Sequence, residues 1–309
     1  MNSYIKKTLK NILSRAVHHN IRCVVLKSLN KGMLTHAERA ISSGVDDCVS
    51  LGLTELDRLQ KKYALLNNYL YDHNSVAVRG IERSRDLIGM QAKSPVLDFL
   101  ELGCWDGMVS AALADAGKSV TAIDRRDTGF DARARAAGVK FIAMNASDLE
   151  FPDASFDFIF SYDAFEHFEN PEVAFAEMVR VLRPGGHLYL DFGPLYNSPF
   201  GEHAYQSISV PYCQFLFSEE TINSFARNQR LAEIDFSHVN RRNLRDYRAI
   251  WEKWSGVLQR VEYYESIDFR HLKLIIDHPG LFKRHFQTLD EFTVDNIRVL
   301  FRKIPISES

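Results

Sequence analysis

The residues best suited to chemistry sit where short apolar runs give way to glycine and acid. The first run leads into Glu101-Leu-Gly-Cys-Trp-Asp-Gly107. Glycine carries no Cβ, so Gly103 and Gly107 would let backbone approach a ligand closely. Glu101 could accept hydrogen bonds from a ligand ammonium group. A second run, Val120-Thr-Ala-Ile-Asp124, ends in an acid about 20 residues past the glycines. Two carboxylate oxygens there can accept both hydroxyl protons of a ribose diol. A third run leads into Asn145-Ala-Ser-Asp148, whose acid suits an adenine amino group. Each signal alone has a plainer reading. Asp124 could cap a turn, Asp148 could be a surface acid, and glycine marks any tight turn. Their joint occurrence in order favours the ligand-binding reading. The loop lacks the second glycine of G-x-G-x-x-G, which a pyrophosphate needs, so a dinucleotide-dependent dehydrogenase is disfavoured.

Two histidines could take a proton at neutral pH. His167 lies in Phe165-Glu-His167, and His203 lies in Phe192-Gly-Pro-Leu-Tyr-Asn-Ser-Pro-Phe-Gly-Glu-His-Ala-Tyr205. Each follows an apolar run. His203 sits on a Pro/Gly-rich loop, where function often resides; it could equally be a surface residue or a loop tether. Tyr196, Tyr205 and Tyr212 could shape an amphipathic pocket or simply pack.

Strands are expected over Val96–Leu102, Ser119–Asp124, Val139–Ala146, Phe156–Ala164 and Gly186–Phe192. Helices fit between them at Asp106–Ala116, Asp127–Ala137 and Pro171–Leu182, the last with Asn170 as its cap. This rhythm predicts an α/β fold with a doubly wound, mostly parallel sheet. All nine prolines lie at or after Pro95, which permits a helical N-terminal region over residues 1–94. There Ile5, Leu9, Ile12 and Ala16 share one helical face, and Leu56, Leu59, Tyr63, Leu66 and Leu70 share another. Further along, Ser218–Asn228 reads as a serine-capped helix, and Leu231–Val239 and Thr293–Ile304 as two more strands. Arg241–Asp290 between them reads as a mostly helical insertion, long enough to suggest a lid or subdomain. It is expected to cover the acceptor site together with the loop Gly193–Gln214.

Taken in order, these segments resemble the class I S-adenosylmethionine (SAM)-dependent methyltransferases, in particular the group described as type 11 domains. The resemblance covers about Val96 to Phe192, within a methyltransferase domain expected over residues 95–309. It implies a seven-stranded Rossmann-like sheet with an antiparallel final hairpin, SAM as cofactor, and no metal. By position, Glu101, Gly103 and Gly107 would line the methionine part of SAM. Asp124 would hold the ribose, Asp148 the adenine, and Ser161 would lie beside the methyl donor; Cys104, Arg125 and Ser147 complete the implied cofactor set. Trp105 departs from the family's usual glycine, so it must either narrow the loop or turn outwards.

Methyl transfer implies a small-molecule acceptor, expected to be a hydroxyl of a sugar or specialised metabolite, with His203 ahead of His167 as the base. An amine acceptor or a non-catalytic SAM-binding protein are the alternatives. A net charge of −2 gives no pull towards nucleic acid, and 46% hydrophobic with 25% charged residues is ordinary for a globular protein. Cys23, Cys48, Cys104 and Cys213 are scattered, which suits a reducing cytoplasm. No run reaches the ~18 apolar residues of a membrane span, and the start is no convincing signal peptide. Lys6, Lys7, Lys10, Arg15, Arg22, Lys27 and Lys31 form an acid-free basic start. It could touch anionic lipid at a membrane surface, although a solvated helix face explains it more simply. Oligomeric state is left open.

Overall fold

The computed structural model describes residues 22–46, 49–63, 72–90, 98–204 and 207–305. Seven strands form one sheet: β1 (Asp98–Leu102), β2 (Ser119–Asp124), β3 (Lys140–Ala143), β4 (Phe156–Tyr162), β5 (Leu182–Phe192), β6 (Leu258–Ile267) and β7 (Val294–Lys303). Their spatial order is β3-β2-β1-β4-β5-β7-β6. The first five pair in parallel, and β7 runs antiparallel between β5 and β6. The fold is thus the doubly wound α/β architecture with an antiparallel final hairpin.

Alternating side chains fill both faces of this sheet. Leu100, Leu102, Ile159, Leu188 and Leu190 enter one apolar cluster. Their neighbours Phe99, Phe158, Phe160 and Tyr189 enter another. Strand side chains alternate with period two, so strands covered on both faces read as continuous apolar runs. Successive connections leave β1 towards β2 on one side, while β4 lies on its other side. That reversal opens a crevice at the carboxyl ends of β1 and β4, where ligands of such sheets bind.

Three expectations are corrected. Leu231–Val239 is not a strand. The Asn223 side chain occupies both backbone groups of Ile234, accepting its N–H at 2.9 Å and donating to its carbonyl at 3.2 Å, and the Asp235 carboxylate closes a turn on the Ser237 N–H at 2.9 Å. Side-chain bonds of this kind compete with a ladder. The sheet's edge strand is instead β6, inside the stretch expected to be mostly helical. Asn170 makes no capping hydrogen bond, although Pro171 does open its helix; Ser218 does cap, accepting the Thr221 N–H at 3.1 Å.

A third cluster lies beside the sheet. Ala37 and Ile41 of the helix Lys31–Ser43, and Leu56 and Leu59 of the helix Leu53–Lys62, pack with Phe215, Leu272, Ile275, Phe282 and Phe292. These four N-terminal side chains are at most 2% exposed. At ~1.5–3 kcal/mol per buried large aliphatic side chain, they tie the early helices firmly to the later segment. Expected residues Ile5, Leu9, Ile12, Ala16, Leu66 and Leu70 lie outside the described residues, as do Lys6, Lys7, Lys10 and Arg15. Arg22, Lys27 and Lys31 are exposed, and Lys27 pairs with Asp290 at 3.3 Å. Among the described residues, no helix is long and apolar enough to cross a membrane.

The helix His73–Gly89 packs on the helix Met108–Asp115. A Cβ at Gly80 would lie 2.5 Å from the Met108 carbonyl oxygen, whereas one at Gly89 would meet nothing within 4 Å. Alanine normally gains up to about 1 kcal/mol over glycine in a helix, but forcing two backbones apart costs about 1–3 kcal/mol. Gly80→Ala should therefore lower the urea midpoint at unchanged m, with Gly89→Ala neutral or mildly stabilising. Equal effects in the two variants would contradict this packing.

Candidate active site

β1 delivers Glu101 to the crevice and then turns through Gly103 (φ 70°), Trp105 (φ 45°) and Gly107 (φ 75°). A Cβ on Gly103 would lie 2.5 Å from the Ala164 Cβ. The loop is pinned to β2, because the Gly103 and Cys104 N–H groups both donate to the Ile123 carbonyl, at 2.9 and 3.1 Å. Asp124 accepts the Trp105 N–H at 3.1 Å. Trp105 holds a left-handed conformation that costs a side-chain-bearing residue about 1–3 kcal/mol. Its ring turns outwards, 56% exposed, with the Arg126 guanidinium 4.4 Å from its centroid.

A cavity of about 480 Å³ opens here, lined by residues from β1, β2, the loops after β3, β4 and β5, and the helix His73–Gly89. Glu101, Gly103, Cys104, Asp124 and Arg125 line it; Gly107, Ser147, Asp148 and Ser161 do not. Gly107 turns the chain into its helix with no room for a Cβ against the Phe141 ring. Ser147 donates to the Asn170 carbonyl at 3.4 Å. The Asp148 N–H closes a turn on the Asn145 carbonyl at 3.0 Å, which leaves Asp148 exposed and presents Asn145 and Ala146 to the cavity. Ser161 is buried and donates to the Leu102 carbonyl at 2.9 Å, joining β4 to β1.

One wall escaped the sequence reading. Val76, Arg79, Gly80 and Arg83 line the cavity from a single helix face. Arg79 pairs with Asp106 at 3.1 Å, and Arg83 pairs with Asp163 and stands 4.4 Å from the Tyr162 ring centroid. Their spacing of three and four is that of one helical stripe, on a helix that precedes β1 in the chain and carries none of the strand-end signals.

At the far end the expected histidines come together with a third. The His167 and His203 rings are 4.9 Å apart, and His238 lies 5.8 Å from each. His167 Nδ1 donates to the His238 carbonyl at 2.6 Å, and His203 Nε2 to the Pro194 carbonyl at 2.9 Å. Burial pushes the His203 pKa down to about 3, helped by the neighbouring His167; burial also lowers that of His167. Both rings are therefore neutral at physiological pH. Glu166 beside them is 3% exposed and accepts the Gly193 N–H through Oε1 at 3.1 Å. Burial, with Asp163 adding repulsion, raises its carboxyl well above the usual range. The loop after β5 contributes Gly193 and His203, but no residue of Arg241–Asp290 lines the cavity. That stretch builds β6 and much of the third cluster instead of a lid.

Residues 100–190 match the family model described as a methyltransferase domain. A demethylmenaquinone methyltransferase from Renibacterium salmoninarum is 30% identical over 178 residues, covering 52% of this chain and 73% of that protein. The chain belongs to the class I SAM-dependent methyltransferases. A fatty-acid O-methyltransferase from Mycolicibacterium smegmatis is 31% identical over 165 residues, 52% of this chain and 54% of that enzyme. The chain thus spans about half the length of that relative. A crystal structure of a SAM-dependent methyltransferase from Methanosarcina mazei is 20% identical and covers 69% of this chain and 95% of its own, with a TM-score of 0.45.

The residues at the crevice fit the family's cofactor. Glu101 is 3% exposed, receives the Ser110 hydroxyl, and burial raises its pKa to about 8. A cavity carboxyl in that condition is a receptor for a cation. Asp124 offers a carboxylate that a ribose would share with Arg126, now 3.2 Å away. With its pKa raised by burial to about 8, the Glu101 carboxyl favours its protonated form below pH 7, and an ammonium placed against it favours the carboxylate, so a proton should leave on binding. SAM affinity should then rise from about pH 5 to pH 7, below the ligand amine's own titration. Calorimetry in buffers of differing ionisation enthalpy should register proton release, and Glu101→Gln should abolish both effects. Asp124→Ala should weaken binding by ~1–3 kcal/mol. Affinity flat with pH in the parent, or unchanged in folded Asp124→Ala, would contradict these roles.

Proposed function

We propose that this protein is a SAM-dependent O-methyltransferase whose acceptor is a hydroxyl of a small polar molecule, such as a sugar or a hydroxylated specialised metabolite. The observation that carries this reading is the continuity of one cavity from Glu101 and Asp124 to His167, His203 and His238. Bound SAM supplies an electrophilic methyl carbon on a sulfonium sulfur. Glu101 and Asp124 hold the ligand by its ammonium and ribose ends, while the backbone at Gly103 and Cys104 forms the floor. The wall bearing Arg79 and Arg83 helps exclude water, which aligned displacement requires. At the other end, neutral imidazoles of His203 and His167 accept the hydrogen of the incoming hydroxyl and aim its oxygen at the methyl.

The relatives are named for different acceptors, a fatty acid and demethylmenaquinone among them. Three imidazoles and the acids Asp163, Glu166 and Glu169 line this end, which favours a hydroxylated acceptor over an acyl chain. The activity is tested with methyl-labelled SAM and a panel of sugars, hydroxylated acids, quinols, free fatty acids and amines. Label should appear in an alkali-stable ether. An alkali-labile ester would move the acceptor to a carboxylate, and label on nitrogen would make it an amine. Binding of SAM without transfer to any class would favour a non-catalytic role. On the true acceptor, His203→Asn should keep SAM affinity and lose roughly 10²–10⁴-fold in turnover; full turnover would remove His203 from the reaction.

A further inference from the structure

Glu166, His167 and His203 each bring one ligand-capable atom within 4.8 Å of the other two. We infer that these three side chains form a binding site for a divalent transition-series cation, such as Zn²⁺, Mn²⁺ or Co²⁺, at the acceptor end of the cavity. No metal was expected from the sequence, because displacement at a methyl carbon does not need one. Three independent features converge on the site.

The first is an orphaned oxygen. Glu166 uses Oε1 to accept the Gly193 N–H, but Oε2 has no hydrogen-bond partner among the described residues, although the side chain is 3% exposed. A purely structural acid holding one N–H has no need of a second, buried and unsatisfied, oxygen. The second is the tautomers. A carbonyl can only accept, so the His238 and Pro194 carbonyls fix the protons on His167 Nδ1 and His203 Nε2. The lone pair of each neutral ring then sits on His167 Nε2 and His203 Nδ1. Metal-binding imidazoles are held in this way, with the other ring N–H donated to a carbonyl.

The third is rigidity. The Glu166 carbonyl accepts the Asn240 N–H at 2.8 Å, and the Asn240 side chain donates to the Phe165 and Phe168 carbonyls at 3.1 Å each. The Glu-His turn is therefore clamped from outside the cavity. Ligands about 2.1 Å from a tetrahedral cation stand about 3.4 Å apart, so a set that already lies within 4.8 Å needs a modest side-chain rotation to close on a cation. Two imidazoles with one carboxylate suit transition-series ions better than Mg²⁺ or Ca²⁺, which prefer oxygen. Three protein ligands leave a coordination position open to the cavity, where a water or an acceptor oxygen would bind; in the cation-bound state both imidazole lone pairs are ligands, so the rings accept the hydroxyl hydrogen only when the cation is absent. That last role rests on the methyltransferase reading; the site itself does not.

The test uses the full chain after chelator treatment. Titration with Co²⁺ should give visible d–d absorption saturating at one equivalent, and Zn²⁺ should displace it. Glu166→Gln and His203→Asn should each weaken binding by at least ~100-fold, whereas His238→Gln should bind as the parent does. Affinity for demethylated SAM, measured in parallel, reports that each variant is folded; if Glu166→Gln is not, His167→Asn reads the same ligand set. A parent protein that takes up no stoichiometric cation, or folded ligand variants that titrate like the parent, would overturn the inference. Cation binding is read without turnover. Cation uptake without methyl transfer would thus end the proposed activity and leave the site standing, and the reverse result would do the opposite.

Discussion

A missing methyl group governs the site. Gly103 stands against Ala164 with no space for a Cβ, so the loop after β1 and the turn after β4 meet backbone to side chain at the point where strand order reverses. The same loop is drawn onto β2 by two N–H bonds to one carbonyl, that of Ile123. These contacts fix three strand ends relative to one another. Everything that faces the cavity inherits its position from them: Glu101 just before the glycine, Asp124 just after Ile123, and Asp163 to His167 around Ala164. The left-handed conformations at Gly103, Trp105, Gly107 and Asp163 are the backbone's response to that junction.

The parts of the fold legible in the sequence are those buried on both faces. β1, β4 and β5 lie inside the sheet between two apolar clusters, so both alternating sets of side chains are largely apolar and short runs such as Phe158-Ile-Phe160 and Leu188-Tyr-Leu190 stand out. β6 pairs with β7 alone, and most of its residues are only half-buried. Its mixture of tyrosines and acids therefore carries no alternation to read. Ile234 and Phe236 alternate for another reason: with Leu231 they pack against the cluster beside the sheet, while the Asn223 side chain claims the Ile234 backbone. Alternation reports which side chains are covered; it does not report where the backbone hydrogen bonds go.

The site was legible to the same depth. Glu101 and Asp124 could be found because strand ends and glycines are local signals. His167 and His203 could be found because each closely follows a strand. His238 could not, since it arrives from a segment with no regular structure, 71 residues beyond the His167 ring that its carbonyl holds. Glu166 was visible as half of a Glu-His pair, but its burial was not. Glu166 is held by the Gly193 and Asn240 N–H groups, and the Phe165 ring beside it packs among Phe192, Tyr247 and Trp251, contacts that join residues far apart in the chain.

The cluster beside the sheet has a consequence for the order in which this chain can fold during synthesis. Ala37 and Ile41 emerge early, yet Leu272, Ile275 and Phe282, on the helices they pack against, follow more than 200 residues later, and Leu56 and Leu59 wait for Ile222 and Phe225 of the helix Glu219–Asn228. At ~5–20 residues added per second, the early helices wait about ten seconds or more with their apolar faces uncovered. The sheet waits in the same way, because β5 is flanked by β7, which begins only at Val294. These helices are thus among the last of the described elements to find a core, and a nascent chain stalled before residue 219 leaves both of their apolar faces uncovered.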